Sequence, residues 1–525
     1  MFRPTGPRYE VASPIKNGKA RTTVSSKQEN TPQPAELALI VLAAGAGTRM
    51  KSATQKTLHS IGGRTMLSHS LHAAAGANPQ SIVAVIGHGR EQVGPAVDHV
   101  AEELGRPIHA AVQEEQNGTG HAVQCAMPAL EDFHGTVIVT NADVPLLTAD
   151  TLRDLYEAHT QSPTAVTVLS VRQDNPTGYG RIVRDSSDNV TAIVEEKDAT
   201  PDQKRITEVN SGVFAFDSDI LRSSLNQLNT DNAQGELYLT DVLGIAREEG
   251  HPVRAFIAED PSELAGVNDR VQLAAAGAAM NRRHVEAAMR GGATIVDPAT
   301  TWIDVDVQIG QDVTIHPGTQ LKGTTRVGDG ATIGPDSTLT NVRIGTGATV
   351  IRTHALDAVI GDDADVGPFT YLRPGTVLGP QGKLGGFVET KKATIGRGSK
   401  VPHLTYIGDA TVGDFSNIGA SSVFVNYDGV NKHHTTVGSH VRTGSDTMFI
   451  APVTVGDGAY SGAGTVLKDD VPPGALAVSG GRQRNIEAWV ENKRYGTPAA
   501  EAAAEAQKRM ADGGSPTSDP ELPEE

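Results

Sequence analysis

Between Ile303 and Leu339 the chain reads IDVDVQ-IGQDVT-IHPGTQ-LKGTTR-VGDGAT-IGPDST-L, with an aliphatic residue at every sixth position: Ile303, Ile309, Ile315, Leu321, Val327, Ile333 and Leu339. At roughly one Ile, Leu or Val per five residues, such a run arises by chance about once in a hundred thousand starting points. A period of six fits neither the 3.6 of a helix nor the alternation of a single strand. It describes short straight sides joined by corners, a parallel β-helix built from hexapeptides. The aliphatic side chain points into the coil, and the small residue after it (Gly310, Gly328, Gly334, Gly361, Gly396, Gly408) is expected to let the backbone turn tightly. The beat resumes after slips of phase at Ile360, Val366, Leu372, Leu378 and Leu384, then Ile395, Val401 and Ile407, then Val412 and Ile418. Three hexads per coil predict roughly nine coils up to about residue 470, a rigid prism about 40 Å tall at the usual strand spacing.

A chain of 525 residues exceeds one ordinary core, so two or three domains are expected. The formal charge of −17 argues against nucleic acid and against an anionic membrane surface as partners. Cys125 is the single cysteine and has no internal disulfide partner, which points to a reducing, cytoplasmic compartment. No stretch approaches the apolar length that spans a bilayer. Residues 1–36 lack any apolar core segment and read as a disordered tail. Residues 491–525, rich in Ala, Glu, Pro and Ser, are read in the same way.

From Leu37 the texture is α/β. The apolar run Leu37 to Leu42 leads straight into Ala43, Ala44, Gly45, Ala46, Gly47, Thr48, Arg49 and Met50. A buried strand that opens into small residues and then a cation lets backbone N–H groups approach phosphates. Further strands are predicted at Ser81–Ile86, Thr136–Thr140 and Ala165–Val171, giving a doubly wound sheet over 37–267 with ligands at the carboxyl ends of its strands. The Gly45-x-Gly47 pair alone is weak evidence, since it has neither a P-loop ending nor dinucleotide spacing. The Ala-rich run from Asn268 to Arg290 predicts a long helix ending at Gly291-Gly292, either a linker over 268–292 or, in its first half, a core helix of the first domain. The β-helix domain is then 293–490.

The string Leu42 to Met50 with Lys56 resembles the signature of sugar-nucleotide pyrophosphorylases. In order along the chain follow Gln113 to Ala122 (QEEQNGTGHA), Asp143-Val-Pro145, Pro176 to Arg181 (PTGYGR), Val194 to Asp198 (VEEKD), Asn210-Ser-Gly212, Gln234 to Asp241 (QGELYLTD) and Gly266-Val-Asn268. The β-helix adds His403 to Asp409 (HLTYIGD), Asn426 to Gly429 (NYDG) and Gly444 to Thr447 (GSDT). Together they resemble the bifunctional N-acetylglucosamine-1-phosphate uridylyltransferase and glucosamine-1-phosphate N-acetyltransferase family over about 37 to 490. The resemblance implies an α/β Rossmann-like nucleotidyltransferase domain followed by a left-handed parallel β-helix of hexapeptide repeats. It also implies a homotrimer, Mg2+, and UTP and acetyl-CoA as co-substrates, in an enzyme that supplies UDP-N-acetylglucosamine for peptidoglycan and other envelope polymers.

Nucleotidyl transfer needs cations on a triphosphate and a metal bridging the reacting phosphates. Arg49 and Lys56 are the candidate cations. Asp143, following an apolar strand, is a candidate magnesium ligand, and the resemblance adds Asn268 as the second. By the same resemblance Leu42, Ala43, Ala44, Gly45, Gln113, Gly118 and Thr119 hold the uridine nucleotide, with Asn141 and Ala142 beside Asp143. Gly180, Glu195 and Asn210 hold the acetylated sugar. Two departures from the family pattern carry expectations: Gln55, where Pro is usual, loosens the loop bearing Lys56, and the Ala142 methyl crowds the nucleotide.

Acetyl transfer to an amine requires the ammonium to lose a proton, a task suited to a neutral histidine. His403 lies two places after inward Val401, so its side chain leaves the core, and with Leu404, Thr405 and Tyr406 it matches the family's general base. The resemblance assigns Arg373 and Lys391 to the sugar phosphate, and Tyr406, Asn417 and Asn426 to the glucosamine. Ala420, Asn426, Tyr427, Ser445 and Ala463 meet acetyl-CoA. Lys432, Arg482 and Arg484 are candidates for the CoA phosphates. The run Phe424 to Thr436 breaks the beat and is expected to loop outward toward a neighbour. His403 and Asn426-Tyr427 speak against a single-activity pyrophosphorylase for another sugar whose β-helix only oligomerises or regulates, and Arg49, Lys56, Asp143 and His403 speak against a non-catalytic scaffold that binds sugar nucleotides.

Overall fold

The structure is a computed structural model that describes residues 36–481, 483 and 485–518. The predicted tail 1–36 lies outside the described residues except for Glu36, and Arg482 and Arg484 lie outside them as well. The chain divides into two compact units, 1–279 and 280–525. No helix among the described residues is long and apolar enough to cross a membrane.

The first unit is built on one mixed sheet. Strand Leu37–Leu42 runs parallel to Ser81–Ile86 on one side and to Thr136–Asn141 on the other. Beyond Ser81–Ile86 lies His109–Val112, also parallel. Beyond Thr136–Asn141 the order continues through antiparallel Glu208–Asp217 to Val166–Arg172 and Val253–Ile257. The central strands Leu37–Leu42 and Ser81–Ile86 are buried on both faces and so read as nearly continuous apolar runs, while the edge strand His109–Val112 is largely exposed. Leu37, Leu39 and Val41 pack with Leu67, Leu71, Val93 and Leu152 from helices on one face. Ala38 and Ile40 pack with Val123, Leu221 and Val242 on the other. Each such Leu, Ile or Val side chain contributes about 1.5–3 kcal/mol.

One buried polar group in this unit makes stability depend on pH. His159, 4% exposed, has its Nδ1 2.9 Å from Thr167 Oγ1. Burial chiefly, with Arg254 adding, lowers its pKa to about 4, against a raising contribution from Asp217. The unfolded chain takes this proton near the ordinary value of 6.5 while the folded chain refuses it, so the contribution is complete above that value and is lost as pH falls towards 4. The difference corresponds to about 3 kcal/mol. Thermal unfolding of His159→Gln between pH 7 and 4.5 is expected to show a flatter dependence than wild type; parallel curves would contradict it.

The second unit is a parallel β-helix. Trp302 and Ile303 pair with Gln320 and Leu321, Gln308 and Ile309 with Arg326 and Val327, and Thr314 and Ile315 with Thr332 and Ile333. Each pair is separated by three hexads, which is one coil of three walls. The inward aliphatics are buried throughout, apart from partly buried Ile309 near the first coil. Of the glycines that follow, Gly334 has φ 91 and makes the tight turn expected, while the others have a different reason. At Gly328, Gly361 and Gly396 φ is not positive; an added Cβ would meet backbone atoms of the next rung at 2.6–2.8 Å. The left-handed corners fall a few residues on, often at polar side chains such as Asp312, Asp363 and Asp409.

The helix Arg270–Arg290 runs in sequence across the division at residue 279. In its first half Gly277 approaches Ile61 and Arg270 Nε donates to the Met50 carbonyl at 3.1 Å. In its second half Val285 joins the β-helix core. Asn281 Nδ2 donates to Thr301 O at 2.8 Å, while Asn281 Oδ1 accepts from Ile303 N at 2.9 Å. A buried amide thus pairs with the first rung as a neighbouring strand would.

The carboxyl-terminal segment 491–525 corrects the expectation of disorder over its described part. Pro498–Ala511 is a helix, with Thr497 accepting from Ala500 N as its cap. Ala, Glu, Gln and Lys favour helix even where nothing is buried, and a Pro at the start suits the first turn. The insertion near 430 is narrower than expected. Val423–Val425 remains a wall strand and Phe424 is wholly buried, stacked on Phe449 at 4.2 Å. The hairpin proper spans Tyr427 to Lys432, which bridge each other.

Candidate active sites

At the carboxyl end of Leu37–Leu42 the chain turns over a cavity of about 270 Å³. Leu42 to Gly45 form one rim, and Gln113, Gly118 and Thr119 another. Asn141, Asp143 and Lys56 line the remainder. The sequence thereby brings together residues about 100 positions apart, because Leu42 and Asn141 are register partners on adjacent strands.

Each rim is held by specific bonds. Ala43 N donates to Val85 O at 2.8 Å, and Gln116 Nε2 reaches across to Ala44 O at 2.6 Å. Gln113 is buried, and its Nε2 donates to Gly118 O at 3.1 Å. Gly118 has φ 101, and a Cβ there would lie 2.5 Å from Leu237 O. Thr119 Oγ1 accepts from Leu239 N at 3.1 Å, tying the Gln234 to Asp241 segment to this wall. Gln116, Thr57 and Glu236 also line the cavity. They were not singled out in the sequence, although each lies within or beside a quoted motif.

At the charged end, Lys56 Nζ lies 2.5 Å from Asp143 Oδ2 and 3.4 Å from Asn268 Oδ1. Arg49 donates to the same Asn268 oxygen at 2.9 Å. Val267 N donates to the Asp143 carbonyl at 2.8 Å, which fixes the segment bearing Asn268 beside the strand end. Two cations and two hard oxygens therefore converge. The two oxygens suit a divalent ion such as magnesium, which keeps several waters and takes its other ligands from phosphates.

Lys56 is placed by Gly47, whose φ is 60 and where a Cβ would stand 2.4 Å from Lys56 Cβ. Gly47→Ala is therefore expected to displace Lys56 and lower nucleotidyl transfer about 10²-fold, read as pyrophosphate release; a wild-type rate would refute this role. The expectation for Gln55 is corrected. Its N–H donates to Gln92 Oε1 at 3.2 Å, a bond Pro has no hydrogen to make, and its side chain packs on Gly89. The loop is tethered, not loosened. Ala142 is corrected too. It is 0% exposed in the apolar core with Leu39 and Ile138 and does not line the cavity, so its methyl crowds no ligand.

Gly180, Glu195 and Asn210 come together next to this strand end. Asn210 N donates to Gly180 O at 2.8 Å, and a Cβ on Gly180 would meet Glu195 Oε1 at 3.3 Å. Burial, then Asp198 and Asp241, raises the Glu195 pKa.

On the β-helix, His403 ends strand Lys400–His403 and is exposed at a corner. Its carbonyl accepts from Ser421 N, the Ala420 carbonyl accepts from Asp446 N, and the Ser445 carbonyl accepts from Gly464 N. His403, Ala420, Ser445 and Ala463 therefore climb one corner, rung by rung. The corner is smooth because a Cβ on Gly419 or Gly444 would strike backbone of the next rung at 2.2–2.4 Å.

The wall beyond that corner carries Tyr406 and a basic cluster. Arg373 binds Glu389 at 2.9 Å, and Glu389 is the register partner of Tyr406. Lys391 has its pKa lowered, first by neighbouring Lys432, then by burial and by Arg373. Lys432 thus stands beside Lys391, one of the residues expected to hold sugar phosphate. Asn426, buried, donates to Asp409 Oδ2 at 2.5 Å, with Tyr406 Oη 3.5 Å away. Tyr427 is exposed and donates to Gly429 O at 2.6 Å. Asn417 is not in this group: it bridges Lys400 and Arg442 on another wall. Adjacent His433 and His434 are loop residues, bonded to Asp428 and Thr411.

A nucleotidyl transfer fold followed by hexapeptide repeats defines the class, and family models match accordingly: nucleotidyl transferase over residues 38–305 and bacterial transferase hexapeptide, six repeats, over 306–341. Among curated relatives, the "Bifunctional protein GlmU" of Corynebacterium jeikeium is 77% identical over 489 residues, covering 93% of this chain and 100% of that one. That of Corynebacterium efficiens is 78% identical over 473 residues, covering 90% and 97%. That of Rhodococcus opacus is 65% identical over 477 residues, covering 90% and 95%. The chain belongs to the family of bifunctional GlmU proteins.

Proposed function

We propose that the chain makes UDP-N-acetylglucosamine in two steps. It first acetylates glucosamine-1-phosphate with acetyl-CoA on the β-helix, then transfers UMP from UTP to N-acetylglucosamine-1-phosphate in the α/β unit, releasing pyrophosphate. The convergence of Arg49, Lys56, Asp143 and Asn268 on one another, with Lys56 and Asp143 lining the cavity, carries this reading.

In the uridylyl site, Leu42 to Gly45, Gln113, Gly118 and Thr119 hold the nucleotide, while Gly180, Glu195 and Asn210 hold the sugar. A phosphate oxygen of the sugar attacks the α-phosphorus of UTP, and the bond to pyrophosphate breaks. Arg49 and Lys56 stabilise the negative charge that spreads over the phosphates. Asp143 and Asn268 are the residues to hold Mg2+, which supplies charge neutralisation at the phosphates when bound.

In the acetyl site, neutral His403 removes a proton from the sugar ammonium, the free amine attacks the thioester carbonyl, and CoA leaves as the thiol. Arg373, Lys391 and Lys432 hold the sugar phosphate, and Tyr406 and Asn426 position the ring. Ala420, Ser445 and Ala463 offer a smooth corner along which the acetyl-CoA arm extends. Asn417 stands on a different wall from Tyr406, which supports a site completed by a neighbouring chain in a homotrimer.

Incubating the full chain with glucosamine-1-phosphate, acetyl-CoA, UTP and Mg2+ is expected to yield UDP-N-acetylglucosamine and pyrophosphate. Absence of product from folded protein would overturn the proposal.

A further inference from the structure

Arg181 is the bulkiest fully buried side chain among the described residues, 1% exposed. Its backbone lies between Val209 and Val194 in the sheet. Its guanidinium Nη1 donates to the Tyr179 carbonyl. Its Nη2 donates to Glu196 Oε2 at 2.7 Å and to the Lys204 carbonyl at 3.4 Å, while Nε is buried with no partner. One cation thus anchors three turns.

Burying a guanidinium with an unsatisfied N–H is costly, and an apolar side chain of similar volume is often as stabilising or more so. Stability alone is a poor account of its presence. What the guanidinium offers is a planar fork that reaches several acceptors at once, which the point charge of lysine does not. The segments it joins bear the groups placed around the sugar: Gly180 is its neighbour in sequence, Glu195 adjoins its ion-pair partner Glu196, and Asn210 follows its register partner Val209. The Glu196 carboxyl is held below its ordinary range chiefly by the bond to Arg181.

We propose that Arg181 is a positioning residue for the sugar-phosphate acceptor in uridylyl transfer, fixing Glu195 and Gly180 at the spacing that a hexose ring requires. The inference rests on reading Gly180, Glu195 and Asn210 as the sugar subsite. It places specificity for the sugar on an ion pair with a buried guanidinium that touches no ligand.

The test is steady-state uridylyl transfer by the full chain carrying Arg181→Lys, Glu196→Gln or Glu195→Gln, varying N-acetylglucosamine-1-phosphate and UTP separately. Both Arg181→Lys and Glu196→Gln are expected to raise KM for the sugar phosphate about tenfold, with KM for UTP within about twofold and acetyl transfer unchanged. A merely structural role would damage both KM values and kcat together, and that result overturns the inference. If Arg181→Lys does not fold, Glu196→Gln decides, because its carboxyl is 27% exposed. If Glu195→Gln raises the sugar KM while the other two behave as wild type, the positioning role fails and the subsite stands. If Glu195→Gln leaves the sugar KM unchanged, the subsite reading fails and the inference with it.

Discussion

Asp143→Ala should lower uridylyl transfer by about 10³-fold or more, since removing even one preorganised electrostatic partner from such a site costs about 10²–10³. The carboxylate lies 2.5 Å from Lys56 and within the group that includes Asn268 and Arg49. Its loss removes the only negative charge in that group and leaves Lys56 with only the longer bond to Asn268. The scaffold should survive, because the strand end is held by the Asp143 carbonyl, which accepts from Val267 N and remains in the variant. Magnesium-dependent pyrophosphate release measures the loss, with acetyl transfer by the same sample as the control for folding. Equal rates for variant and wild type would refute the role of Asp143.

His403→Ala should reduce acetyl transfer by about 10²–10⁴-fold, the usual worth of a positioned general base, and leave uridylyl transfer of supplied N-acetylglucosamine-1-phosphate intact. The imidazole is exposed at its corner, and the bonds that set this rung are made by its backbone: its carbonyl accepts from Ser421 N and from Thr405 Oγ1 at 2.7 Å. Truncation therefore removes the base without disturbing the coil. Release of free CoA thiol reports the reaction. Undiminished release would eliminate His403 as the base.

The β-helix was legible because its core is one-dimensional: each inward position contacts its counterparts on neighbouring rungs, so the order of residues along the chain already contains the packing. Beyond Ile418 the beat is harder to read although the coil continues. Its inward places are then filled by Phe424 and Phe449, which stack, and by Thr443 and Ser461, which are buried. The hydroxyls are affordable there because Thr443 Oγ1 accepts from Gly419 N at 2.9 Å and Ser461 Oγ from Gly444 N at 3.1 Å. A search for Ile, Leu and Val alone passes over such positions.

The uridylyl cavity was legible for a related reason, since its rims are contiguous motifs at strand ends. Ala142 misled because alternate residues around a strand end face opposite ways: Asp143 looks into the cavity while Ala142 faces the core. The acetyl site was less legible. Its residues meet through corners, and the coil that carries the hairpin spans 25 residues, as between Val423 and Met448, whereas Tyr406 and Val423 lie 17 apart. Lys432 therefore arrives beside Lys391 by a path that no fixed period announces.

The amide of Asn281 sets a practical limit on dividing the chain. A stack of parallel rungs has an open end wherever it begins, and an unguarded edge of N–H and C=O groups invites another chain to extend it. Here the start is shielded by Asn281, a residue of the helix Arg270–Arg290. A fragment cut at the first hexad would leave that raw edge open to pairing. One beginning a helical turn or two upstream of Met280 carries its own stopper.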